Sequence, residues 1–88
     1  MSITEELWDF PMEYMLKTIG HSHAPLADID SEIVRRYVPN FDARTVTLKP
    51  SGKGNYTSVT ATLVFENKSQ VEGVYRDLNA HEAIVWSL

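Results

Sequence analysis

Lys49–Phe65 reads KPSGKGNYTSVTATLVF. At its centre a lysine lies between two glycines, and two foldings compete for such a cluster. A phosphate cradle needs a strand, a glycine-rich loop and then a helix whose N-terminus faces the phosphate. A hairpin needs a strand on both sides and a glycine at positive φ. The residues that follow decide between them. Asn55–Phe65 is rich in β-branched residues and alternates, with Val59, Ala61, Leu63 and Phe65 on one parity. Tyr56, Ser58, Thr60, Thr62 and Val64 take the other, so a strand follows the glycines. Lys53 is followed by Gly54, where a phosphate loop carries Ser or Thr. The stretch is therefore a hairpin turn, with Gly52 or Gly54 at positive φ. Its first strand is Arg44–Ser51, where Val46 and Leu48 alternate with Thr45, Thr47 and Lys49.

The rest of the chain builds outward from this hairpin. Pro11–Gly20 alternates as a half-buried strand with Tyr14 and Leu16 inward. Pro25–Val38 has helical spacing, with Leu26, Ile29, Ile33, Val34, Tyr37 and Val38 in one stripe. Asp28 and Asp30 near its start and Arg35 and Arg36 near its end suit the helix dipole. Asn67, three residues before Gln70, caps a second helix striped by Val71, Val74, Tyr75 and Leu78. Glu72 and Arg76 are spaced to pair on it, and Gly73 marks an exposed or tightly packed position. Ala83–Leu88 is a last strand with Ile84, Trp86 and Leu88 on one parity. Each helix has a single apolar stripe, so both must cover one face of one sheet. The expected architecture is α+β: a ferredoxin-like βαββαβ sandwich. Its four-stranded antiparallel sheet has strand order 4-1-3-2. Residues 1–10 form an N-terminal arm docked by Leu7, Trp8 and Phe10, and residues 11–88 form a single domain.

Composition narrows the function. Eighty-eight residues suffice for one domain with a modest core, which invites self-association into a homodimer. The net charge of −4 opposes non-specific nucleic-acid binding. The absence of cysteine removes disulfides, thiolate catalysis and thiolate metal sites, and suggests a cytoplasmic protein. No stretch approaches the length of a membrane span, and Glu5 and Glu6 stand where a signal peptide is basic.

Catalytic arrangements find little support. His21 and His23 form a His-x-His loop, but a metal site needs three or four convergent ligands, and Asp28 and Asp30 lie within the helix. His81 has no sequence partner. Ser51 and Ser58 lack a nucleophile-elbow context. The glycine-rich anion loop of acylphosphatases is absent after the first strand. RNA-binding sheets of this topology stack bases on aromatic residues of the open face. Parity assigns that face Met15, Lys17, Ile19, Thr45, Thr47, Lys49, Ser58, Thr60, Thr62, Val64, Val85 and Ser87, with no aromatic pair on the central strands. No metal, cofactor or nucleic acid is expected. Lys49, Ser51, Lys53, Asn55 and Tyr56 are the candidate recognition tip, because a turn needs glycine but has no need of this lysine or this tyrosine. Gly20, His21, Ser22 and His23 are the alternative, a ligand loop.

Four segments also carry a resemblance: Phe10-Pro11, Lys17–Gly20 (KTIG), Val34–Pro39 (VRRYVP) and, above all, Lys49–Thr60 (KPSGKGNYTSVT). Together they resemble the YbeD-like family of small bacterial proteins, over nearly the whole chain. That family usually has Ser where this chain has Gly52, and commonly His where it has Tyr37, so no role that needs that histidine carries over. The resemblance implies a fold similar to the regulatory ACT domains and regulation linked to lipoate. It brings no catalytic residues. The combined expectation is a small regulatory or interaction module with a protein partner, not an enzyme. The alternative is an ACT-like sensor that binds a small molecule near Gly20–Ala24.

Overall fold

The computed structural model describes residues 8–87. Six elements follow in order: β1 (Met12–His21), α1 (Leu26–Tyr37), β2 (Thr47–Pro50), β3 (Tyr56–Phe65), α2 (Lys68–Ala80) and β4 (Ile84–Ser87). They form one antiparallel sheet of order β2-β3-β1-β4, which is the expected 4-1-3-2 read from the other edge. β1 and β3 pair without a break from Met12↔Phe65 to His21↔Tyr56. This unbroken ladder is the backbone of the molecule.

The two helices cover one face. Leu16 from β1 and Val59, Ala61, Leu63 and Phe65 from β3 point into the core beneath them. Ile33 and Val34 come down from α1, and Val71, Val74 and Leu78 from α2. Trp8 and Phe10 pack against this core, edge to face, with ring centroids 5.9 Å apart. Leu7, expected to dock with them, and Leu88 lie outside the described residues. Asn67 caps α2 as its spacing predicts, its Oδ1 accepting from the Gln70 amide at 3.0 Å. The Gln70 side chain in turn accepts from the Glu66 amide and donates to the Tyr37 carbonyl, tying the two helices together. Gly73 is the tightly packed position. A Cβ there would overlap the Tyr37 ring, whose hydroxyl donates to Asp77 at 2.7 Å. Arg76 donates to the same hydroxyl and lies beside Asp77, rather than reaching for Glu72.

Three expectations about strand extent and burial need correction. The first concerns β2. Ala43–Thr45 is a 3₁₀ turn, and only Thr47–Pro50 is strand. Asp42 accepts from the Arg44 amide, and Thr45 Oγ1 donates to the Asp42 carbonyl, so local polar bonds win over the ladder. Leu48 stands opposite Val59, on the helix side, but it is 51% exposed. At the sheet edge no helix covers it, and Val46 is only half-buried.

The second concerns β4. Its pairing with β1 shifts register between Ile19 and Gly20, so Trp86 stands opposite Ile19 and Ser87 opposite Thr18. Trp86 thus joins the open face, whereas Ser87 is buried on the helix side and donates to Asn79 at 2.9 Å. A bulge inverts parity, and no alternation rule anticipates it.

The third concerns Asp30. It is not a solvated partner of the helix dipole but wholly buried beneath α1.

Candidate functional site

The chemistry-bearing residues gather at one end of the sheet. β3 begins immediately after the hairpin, and β1 ends immediately before the first loop. Since β1 and β3 are paired neighbours, the topology brings the two candidate sites side by side. The hairpin loop spans residues 51–55. The Ser51 amide donates to the Tyr56 carbonyl at 2.7 Å and the Gly54 amide to the Ser51 carbonyl at 2.9 Å. Gly54 has φ +76°, the left-handed conformation that a glycine adopts without strain. Gly52 meets nothing within contact distance, and its place in the turn makes no demand for glycine. A strand follows, so no helix starts from this loop and the strand–loop–helix order of a phosphate cradle is absent.

The hairpin also fastens the first loop. The Asn55 carbonyl accepts from the Ser22 amide at 3.1 Å, and the Ser22 and Thr57 hydroxyls lie 2.7 Å apart. Above these bonds the His21 ring stands 5.6 Å from the Tyr56 ring and 5.6 Å from the His23 ring. Tyr56, Lys53, Ser51, Asn55 and Lys49 are all exposed. The expectation that no aromatic pair sits on the central strands is therefore overturned. His21 extends β1 by one residue and stacks across to Tyr56, although Gly20 reads as the end of the strand.

Beyond this end, exposed apolar side chains are spread over the open face. Met15 is 57% exposed and Trp86 47%, with Val64 and Val85 similarly open to solvent. Threonines and lysines of β1, β2 and β3 lie between them. Scattered exposed apolar side chains are ordinary, but here they share one uncovered sheet face with a histidine–tyrosine stack.

A cleft of about 560 Å³ opens on the other side of the first loop, lined by His21, His23, Ala24, Pro25, Ile29, His81, Glu82 and Ala83. It gathers all three histidines of the chain. His81 arrives because the residue just before β4 bonds to the end of β1, the His21 amide donating to the Ala83 carbonyl. Its Nδ1 accepts from the Ala83 amide at 3.1 Å, which leaves Nε2 for the cleft. Nothing in the spacing of His81 signals this meeting. Among the described residues no cluster of three or more His, Cys, Asp or Glu has the geometry to hold a metal ion. A second hollow of about 330 Å³ lies between the α1–β2 connection and the end of β3, lined by Phe41, Leu63 and Gln70 among others.

A model of the family described as "Protein of unknown function (DUF493)" matches residues 5–88. The chain belongs to this family. It is 34% identical over 82 residues to a UPF0250 protein of Paraburkholderia phymatum, covering 93% of this chain and 92% of that one. It is 37% identical over 78 residues to a UPF0250 protein of Neisseria gonorrhoeae, covering 89% and 86%. The expected membership of a family of small bacterial proteins agrees with these matches. The solution structure of HP0495 from H. pylori superposes with a TM-score of 0.73 at 15% identity, over 92% of this chain and 85% of that one. At that identity the likeness is one of fold, and it agrees with the small α+β sandwich.

Proposed function

We propose that this chain is a small, non-enzymatic, cytoplasmic interaction module with a regulatory role. It docks a protein partner on the open sheet face and the adjoining hairpin tip. One observation carries the reading: four large exposed apolar and aromatic side chains (Met15, Tyr56, Val64, Trp86) share the face opposite a fully formed core. Aromatic residues and methionine are favoured at the centres of interfaces. Lys49 and Lys53 at the rim supply charge that steers an acidic partner. The family resemblance adds lipoate-linked regulation as the context.

A photo-crosslinking amino acid at position 56 or 86 tests the docking face, with exposed position 72 on α2 as control. The same partner should be captured from bacterial lysate at 56 and 86 and not at 72. Lys53→Ala with Tyr56→Ala should weaken that capture while the circular dichroism spectrum stays unchanged. Equal capture at all three positions overturns the reading.

A second reading, a small-molecule sensor, is favoured by the three-histidine cleft beside Gly20–Ala24. It predicts that one member of a metabolite library raises the melting temperature, as ligand binding to the native state requires. His81→Ala should abolish that rise.

A further inference from the structure

Among the described residues, β4 leaves half of a central strand without a partner on that side. β1 pairs with β3 over all of Met12–His21 but with β4 only at Thr18–Gly20. Two hydrogen bonds set the backbone phase. The His21 amide points to the β4 side, reaching Ala83, and the Ser22 amide points to the β3 side, reaching Asn55. Antiparallel strands alternate these directions residue by residue. The backbone groups of Glu13 and Met15 therefore face the β4 side, where no described residue pairs with them. An open edge of this kind is a template for another strand.

The other free edge of the sheet is guarded. β2 carries Lys49 and Pro50 and is shortened by the 3₁₀ turn, all of which blunt pairing. β1 carries no proline between Met12 and Lys17. Its exposed side chains also form a pattern. Glu13, Met15 and Lys17 stand on the open face at equal spacing, an acid, an apolar residue and a base.

We propose that this edge pairs antiparallel with the same edge of a second copy of the chain, about a twofold axis at Met15. An isologous contact must be self-complementary, and this segment is. Glu13 comes opposite the partner's Lys17, Met15 opposite the partner's Met15, and Lys17 opposite the partner's Glu13. On the helix side Tyr14 comes opposite the partner's Leu16. Ser87 holds the place beside Thr18, so the ladder lies within Glu13–Lys17. The two sheets then join through their β1 strands, and both open faces lie on the same side of the assembly. Five paired residues are few against the roughly 1,200–2,000 Å² of a stable interface, so the dimer is weak, with a dissociation constant on the order of 0.1 mM.

Sedimentation equilibrium on the full chain, over concentrations that bracket this range, tests the proposal. Wild type should pass from monomer to dimer. Glu13→Lys alone sets like charges opposite each other, as does Lys17→Glu alone, and each should weaken the dimer by about tenfold. An equimolar mixture of the two variants should dimerise again. One variant then carries a base at both positions and the other an acid at both, so every facing pair is of opposite charge. Both substituted positions are solvent-facing, so circular dichroism should show the fold retained. A wild type that stays monomeric at the top of the range overturns the proposal. So do single variants that dimerise as well as wild type, or a mixture that does not recover.

Discussion

Asp30 is the residue on which sequence and structure part most sharply. Its carboxyl has no exposed surface, Oδ2 accepts from Thr18 Oγ1 at 3.5 Å, and Oδ1 has no partner. Desolvation pushes its pKa from 3.8 up to about 7, against the smaller opposing effect of the Thr18 hydrogen bond. A raised carboxyl pKa means that between about pH 4 and pH 7 the native state binds a proton that the unfolded chain has lost. Stability therefore falls as pH rises through that window, by up to about 4 kcal/mol, and levels off above it. Asp30→Asn keeps the shape and removes the titration. Thermal melts from acid to slightly alkaline pH should show wild type losing stability relative to Asp30→Asn as the pH rises. The gap should be largest at the alkaline end. A constant difference across the range would show that Asp30 does not titrate in this window. Helical spacing places Asp30 on α1 in the middle of the apolar stripe, one turn after Leu26 and one turn before Val34, so its burial follows from the same periodicity that names the stripe. A charge-bearing residue reads as a partner of the helix dipole by its type, and here its position on the helix overrides its type.

The elements separate what alternation can and cannot reveal. β3 was legible because ten residues alternate without a break and both its neighbours in the sheet are regular strands. α2 was legible because its cap, Asn67, and its apolar stripe agree. β2 and β4 were legible as strands but not in their burial. The alternation of Val46 and Leu48 names a face, and being covered on that face depends on where the helices end. The parity of Trp86 fails because one extra residue in β4 opposes β1. The candidate site was legible in its parts, a polar hairpin and a histidine loop. Their union depends on the β1–β3 pairing, and the third histidine joins through β4. Two truncations separate face from burial. Leu63→Ala, in the core, should cost about 2–5 kcal/mol in chemical denaturation, whereas Leu48→Ala, on the same side of the sheet, should stay within about 0.5 kcal/mol. Comparable losses would mean that β2 is covered in solution. The hairpin carries its own test. With a strand after its glycines, ATP or GTP should leave the melting temperature unchanged, and a rise would restore the phosphate reading.

At the scale of the whole molecule, stability is unevenly spread, and the spread can be read amide by amide. The β1–β3 ladder lies at the centre, roofed by both helices, so its hydrogen bonds open only when the protein unfolds globally. β2 and β4 are four-residue strands with one partner each and should open earlier. Native-state hydrogen exchange should therefore rank β3 and the shared half of β1 slowest, then the helices, then β2 and β4. Within β1 the expectation is sharper. The amides of Tyr14, Leu16 and Thr18 point to β3 and should be protected. The amides of Glu13 and Met15 point to the side where no described residue pairs with them and should exchange near the rate of a solvated amide in dilute protein, although they belong to a central strand. This odd–even alternation should hold from Glu13 to Leu16 and disappear at Ile19, where β4 begins to pair. Raising the protein concentration should slow exchange at Glu13 and Met15 selectively if two copies join there, and should leave Leu48, at the guarded edge, unchanged. Uniform protection along β1 in dilute protein would mean that this edge is already covered, and both the alternation and the pairing of copies would fall together.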